Sequence, residues 1–265
     1  MQKNLIKILF IGDIVGRPGR NTVRTILPKL KEEEGIDFVI ANGENLASGK
    51  GMTKDKYDEM IAAGIDYFTS GNHIWQNRDI IPYLKDKSIN VLRPANYAGD
   101  TPGKGFDTVE IKGTKLTIVN LLGRVFIKEL LDDPFEVGLN IAEKNKDSII
   151  IVDIHAEATS EKMALGYYLD GKVSAVIGTH THIQTADEKI LENGTAYLTD
   201  AGMCGPENSV LGVEKDIVIA GFLTGLPQSF KVAGGECIFN ACIIEIDISS
   251  KKAKSIRRIF ERVKL

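Results

Sequence analysis

Short aliphatic and β-branched runs alternate with longer amphipathic stretches through the first two-thirds of the chain. The runs at 6–11, 37–41, 66–70, 116–121, 148–154, 173–178 and 195–199 have the length and composition of strands. Between them, the amphipathic segments predict helices over 20–34, 53–63, 77–85, 136–144 and 160–169, the last opening on the cap-like Thr159-Ser160-Glu161. Strand and helix in alternation predict a largely parallel sheet covered by helices, an α/β fold. After about residue 205 the texture changes: Cys237 to Asp247 reads as an antiparallel ending, followed by a basic, alternating strand over 252–264. No internal repeat, low-complexity tract or linker divides the sequence, so one domain over 1–265 is expected.

Composition narrows the class. With 265 residues, 43% of them hydrophobic, the chain can bury a large core. A formal net charge of -3 gives no global field toward nucleic acid or an anionic membrane, so no stable nucleic-acid complex is expected. An anionic substrate would need local positive charge. Cys204, Cys237 and Cys242 form neither a Cys-x-x-Cys pair nor an even disulfide framework, which predicts reduced, packed thiols in a cytoplasmic protein. The first apolar run contains Lys7 and stops at Asp13, so it reads as a strand rather than a secretion signal. No stretch approaches the ~18 apolar residues a membrane span needs.

Polar, metal-capable residues stand at the strand ends: Gly12-Asp13, Asn42-Gly43-Glu44-Asn45, Ser70-Gly71-Asn72-His73, Asp153-Ile154-His155 and Gly178-Thr179-His180-Thr181-His182. In open α/β sheets, sites form beyond the carboxyl ends of strands, so these clusters are expected to converge in one crevice. All four histidines of the chain lie within them. Side chains alternate along a strand, which would send His180 and His182 to the same side and within reach of one metal centre. Alone, that pair carries little weight; with Asp13, Glu44, Asn72 and His155 it becomes a ligand set. Imidazole nitrogens with carboxylate and amide oxygens suit manganese, iron or zinc. Roughly six or seven donors exceed what one structural zinc takes, so two metals sharing a carboxylate ~3.5–4 Å apart are expected. His73 follows a residue already used as a ligand and would point elsewhere, which makes it the candidate general acid; a structural histidine is the alternative. It would protonate a leaving oxygen while a hydroxide held between the metals attacks in line. Two divalent ions, less Asp13, Glu44 and that hydroxide, leave about one positive charge, a better match to a phosphodiester monoanion than to a monoester dianion.

The order of these motifs resembles the calcineurin-like metallophosphoesterase superfamily. The fuller strings Ile11 to Gly16, Gly71-Asn72-His73-Ile74-Trp75, Leu92-Arg93-Pro94-Ala95-Asn96, Asp153 to Glu161 and Gly178 to Asp187 resemble its YmdB-type branch, over about residues 6 to 206. The resemblance implies a two-sheet sandwich flanked by helices, in four αββα layers, and activity on 2′,3′-cyclic nucleotides. Two departures from the broader superfamily matter. Val15 occupies the histidine position of the first Asp-x-His, and Glu44 stands where an aspartate usually bridges the metals. On the branch pattern Asn45 supplies part of the lost coordination. Asp13, Glu44, Asn45 and His182 would then hold one metal and Glu44, Asn72, His155 and His180 the other, with iron or manganese favoured over zinc.

Other signals weigh less. By the same end-of-strand logic Arg93, Asn96 and Arg124 are candidate substrate contacts, with surface ion pairing as the alternative for both arginines. Trp75 and Phe126 could stack a base, although such rings are more often core. Gly43 to Thr53 fails as a phosphate-binding ATPase loop, because five residues separate the glycines and Gly51 replaces the required Ser or Thr. Gly16-Arg17-Pro18-Gly19-Arg20 reads as a strand-to-helix turn in preference to a phosphate site. The expected function is a phosphodiesterase acting on a small phosphodiester or nucleotide. A phosphomonoesterase, another dinuclear hydrolase, or a slow regulatory nucleotide-binding protein are the alternatives. Short apolar elements and the C-terminal strands would suit a homo-oligomer.

Overall fold

In the computed structural model, which describes residues 4–264, the chain runs through β1 (Leu5–Ile11), β2 (Asp13–Ile14), α1 (Gly16–Glu34), β3 (Phe38–Asn42), α2 (Lys54–Ala62) and β4 (Tyr67–Thr69). Two 3₁₀ turns (Asn72–Gln76 and Arg78–Ile80) lead into α3 (Ile81–Asp86), followed by β5 (Phe106–Ile111), β6 (Thr114–Leu122), α4 (Pro134–Lys144), β7 (Ile149–His155), α5 (Thr159–Tyr168) and β8 (Ala175–Thr179). The last part holds β9 (Lys189–Ile190), β10 (Ala196–Leu198), β11 (Met203–Pro206), α6 (Lys215–Thr224), β12 (Cys237–Asp247) and β13 (Ala253–Val263).

These strands make two sheets rather than the one that periodicity alone suggests. The first has the order β2-β11-β12-β1-β3-β4, with β13 paired to β12; the second has the order β5-β6-β7-β8-β10-β9. Each has a parallel centre, β1, β3 and β4 in one and β6, β7, β8 and β10 in the other, closed by antiparallel strands. The period-two alternation of β1 explains the layering. Ile6, Ile8 and Phe10 face the second sheet, meeting Ile118, Ile151 and Ile177, while Leu9 and Ile11 face α1 through Val23 and Leu27. On the far side, Leu121, Val152 and Ile154 pack under Ile141 of α4 and Leu165 of α5. Helix, sheet, sheet and helix are thus held by three apolar seams, each fully buried Ile or Leu contributing ~1.5–3 kcal/mol.

Element ends depart from expectation for local reasons. Helix α1 begins at Gly16, before the expected residue 20, because Pro18 sits in its first turn, where a missing N–H costs nothing. Helix α4 begins at Pro134 with Asp133 accepting from the N–H groups of Phe135 and Glu136. The expected helix over 77–85 is α-helical only from Ile81. Thr159-Ser160-Glu161 does not act as a cap: Glu161 turns inward and accepts from the backbone N–H of Arg124 at 2.8 Å and of Val125 at 3.2 Å. Five elements lie outside the sequence expectations: the short strands β2, β9 and β11, the longer β5, and α6. Strand β5 pairs with β6 through a tight Lys112-Gly113 turn, both residues at positive φ, as a two-residue hairpin requires. Helix α6 lacks an apolar stripe and buries no residue, exposing Ile219, Phe222 and Leu223. The C-terminal pair β12 and β13 is antiparallel, as its pattern predicts.

Candidate metal centre

The carboxyl ends of β3, β4, β7 and β8 and the short β2 bring the expected clusters together across the two sheets. Glu44, fully buried, directs Oε1 to 3.3 Å from His155 Nε2 and 3.2 Å from His73 Nδ1. His180 Nδ1 lies 3.0 Å from His155 Nε2, and the two rings meet edge to face. Glu44, His155 and His180 thereby place three ligand atoms within 4.8 Å of one another. Beside them, Asn45 Nδ2 is 3.2 Å from His182 Nε2 and Asp13 Oδ1 is 3.8 Å from it. Asp13 Oδ2 accepts from the His180 backbone N–H at 3.1 Å.

Two atoms in this cluster carry particular weight. Asp13 Oδ1 and Asn72 Oδ1 are buried and without a hydrogen-bond partner. Buried polar atoms are almost always paired, and an orphaned oxygen beside imidazoles and a carboxylate fits a cation. The donor set therefore suits metal on the residues' own chemistry.

The backbone is shaped around the cluster. His180 (φ 98) and His182 (φ 64) lie beyond β8 in the left-handed region, so strand alternation does not set their directions; each strained residue costs ~1–3 kcal/mol, met by its surroundings. Asn72 and His73 likewise sit in a 3₁₀ turn rather than on a strand end. A side chain at Gly71 would run into the His155 imidazole and the Glu44 carboxylate.

Electrostatics follow the packing. Burial raises the Asp13 carboxyl, partly offset by His182 and His155. Burial works against a charged Glu44 as well, but His155 and His73 override it and hold its carboxyl well below the usual range. Burial also opposes charge on His155, yet Glu44, with Asp13 and Asp153, lifts it to about 9. His180 is pushed down to about 3 by burial and by the neighbouring His155.

Several supporting roles escape a reading of the sequence, although Asp153, Thr179 and Thr181 stand in its clusters. Asp153 accepts from Thr69 Oγ1 at 2.5 Å, Asn42 Nδ2 at 3.1 Å and Thr179 Oγ1 at 2.7 Å. Because the Thr179 hydroxyl donates to Asp153, it accepts from His155 Nδ1 at 2.8 Å, which turns Nε2 toward Glu44 and His180. Asp153 stands two residues before His155 on the same strand face, and that spacing is the signal that could have found its orienting role. The buried pair of Lys162 and Asp200, 2.7 Å apart, has no such signal. Asp200 also accepts from Thr181 N and Oγ1, which pins the segment between His180 and His182. Glu157 Oε2 reaches His180 Nε2 at 3.1 Å.

A cavity of about 610 Å³ opens over the cluster, lined by Glu44, Asn45, His73, Glu157, His180 and His182 and also by Lys50, Leu211, Gln228, Phe230 and Val232. Arg93, Asn96 and Arg124 are not part of its lining. Arg93 is buried and donates to the Pro94 carbonyl, Asn96 is spent on the backbone of Leu122 and Asp132, and Arg124 pairs with Asp133. Trp75 packs edge-on against Tyr97, and Phe126 is 85% exposed outside the cavity.

Residues 9–259 match the model of the YmdB-like protein family. The chain belongs to this family. It is 49% identical over 256 residues, covering 96% of both chains, to the 2′,3′-cyclic-nucleotide 2′-phosphodiesterase of Bacillus subtilis (strain 168). The fold is shared with a hypothetical protein from Thermus thermophilus (TM-score 0.91, 42% identity, covering 97% of this chain and 99% of that one). It is also shared with a novel phosphatase from Mycoplasma pneumoniae (TM-score 0.93, 35% identity, 98% and 95% covered). The YmdB-type resemblance and the helix-flanked two-sheet fold are thereby borne out, as is the reading of this family member as an enzyme of the phosphodiesterase class. No helix among the described residues is long and apolar enough to cross a membrane, and Cys204, Cys237 and Cys242 are free and buried.

Proposed function

We propose that the chain hydrolyses 2′,3′-cyclic nucleotides in the cytoplasm with two metal ions, iron or manganese, and with His73 as general acid. The observation that carries this reading is the pair of unpartnered buried oxygens, Asp13 Oδ1 and Asn72 Oδ1, beside the Glu44, His155 and His180 cluster at the floor of an open cavity. Glu44 would be shared between the metals; Asp13, Asn45 and His182 would complete one site, and Asn72, His155 and His180 the other. When bound, the ions would supply positive charge for the phosphoryl oxygens and a water made acidic enough to attack at neutral pH. The 49% identity to a relative named for cyclic nucleotides supports the substrate class.

This chain's residues do the remaining work. Thr179 and Asp153 fix the direction of His155, and Asp200 fixes the loop carrying His180 and His182. His73, with Nδ1 held 3.0 Å from Asn45 Oδ1 and 3.2 Å from Glu44 Oε1, keeps Nε2 for the substrate. As water oxygen bonds to phosphorus and the bond to the ribose 2′-oxygen breaks, the imidazole would give that oxygen its proton, leaving a nucleoside 3′-phosphate.

The test is metal analysis of the purified protein together with turnover of 2′,3′-cyclic AMP and of a phosphomonoester in added manganese. About two equivalents of metal and preferential turnover of the cyclic diester are expected, with both lost in His155→Ala and His180→Ala. Failure to take up metal after supply of manganese, iron and zinc would sink the assignment, and faster monoester turnover would move the activity to a phosphomonoesterase.

A further inference from the structure

Part of the cavity lining is apolar and is not used by the chemistry above. Phe230 stands there 57% exposed, and it is the one phenyl, phenol or indole ring lining the cavity among the described residues. Lys50 Nζ lies 5.8 Å from its ring centroid, a cation–π distance, and makes no ion pair among the described residues. Leu211 and Val232 extend the apolar surface, and Gln228 on the same loop supplies an amide. A 2′,3′-cyclic nucleotide is itself divided in this way. Its anionic phosphate spans two ribose oxygens, while the flat base leaves from the neighbouring carbon. With the phosphate at the histidine cluster, the base must lie elsewhere in the same cavity, which at about 610 Å³ lies within the range of sites that enclose a whole small ligand.

We propose that Phe230 stacks the nucleobase, with Lys50 holding the ring in place, so that this part of the lining selects nucleotides over base-less phosphodiesters. The inference rests on the cyclic-nucleotide reading of the same cavity. It also transfers the stacking role from Trp75 and Phe126, the rings that stand out in the sequence, to one that only the folded chain brings to the site. Stacking tolerates any base, since each has a π-face, and favours purines for their larger area.

The test compares ligands that differ only in the base. Binding of adenosine 3′-phosphate and of ribose 3-phosphate to the metal-loaded protein is measured by calorimetry, and KM is measured for the corresponding cyclic phosphates. In Phe230→Ala the preference for the nucleotide should fall about tenfold, the low end of what base stacking contributes. Phe230→Trp should restore it, and Phe126→Ala should keep the parent preference. Equal binding of both ligands by the parent protein, or an equal loss for both in Phe230→Ala, overturns the subsite. An unaltered preference accompanied by a change in oligomeric state assigns the ring to contact between copies and also overturns it. If the parent does not turn over cyclic nucleotides, yet the preference of adenosine 3′-phosphate over ribose 3-phosphate falls in Phe230→Ala, the catalytic reading fails while the base subsite stands.

Discussion

At His73 the imidazole touches Asn45 and Glu44 through Nδ1 and the residue lines the cavity, whereas Oδ1 of Asn72 beside it is buried. His73→Ala should therefore leave the metal content unchanged while losing roughly 10²–10⁴ in diester hydrolysis, the range for general acid–base catalysis. A nitrophenolate leaving group, which needs little protonation, should suffer less than a ribose oxygen. Loss of a metal in this variant would make His73 a ligand or a support for one. His155 yields a second expectation at this scale. Burial disfavours its charge, but Glu44, Asp13 and Asp153 lift it to about 9, so near neutral pH a proton competes with metal for Nε2. A group with a raised value is protonated below it, so apparent metal affinity should climb as pH rises from 6 toward about 9 and then level off. Titration with manganese at fixed ionic strength measures this, and an affinity flat across that range would remove His155 from the ligand set.

Helix α5 matters for the site because of one lysine. Lys162 and Asp200 are both almost fully buried, and Asp200 in turn holds Thr181 between the two loop histidines and accepts from the Gly202 N–H at 2.8 Å. Lys162→Met removes one charge and leaves the other buried without its partner, a loss of ~3–5 kcal/mol. At ~2–4 °C per kcal/mol for a chain near this size, Tm should drop by roughly 10 °C, and metal affinity should drop with it because the loop is released. Lys162→Met with Asp200→Asn should recover much of the Tm without restoring the loop's full set of hydrogen bonds. Calorimetry of the single and double variants separates the buried charge from the positioning of the loop.

The two sheets contribute to one centre: Asp13 opens β2, β3 and β4 lead toward Glu44 and Asn72, His155 ends β7, and β8 leads into His180. Metal bound between them would stabilise the folded molecule by mass action, ~2.7 kcal/mol at a hundred times the dissociation constant. Chelation should accordingly lower Tm by roughly 5–10 °C, and the shift should vanish in His155→Ala. Much of this was readable along the chain. Strand-length runs ending in glycine and polar residues, with all four histidines among them, determined which residues could form a metal site and at which end of the strands. Local periodicity carries that information because it reports how each short segment must face a core. Tertiary structure alone decided that the strands divide into two sheets, that left-handed backbone at His180 and His182 aims their rings, and that Thr179 and Asp153 orient His155. It also paired Lys162 with Asp200, 38 residues apart, and carried Phe230 to a cavity that Arg93, Asn96 and Arg124 do not line. Such contacts join residues far apart in sequence, and their geometry follows from how sheets and loops stack, which no local pattern encodes.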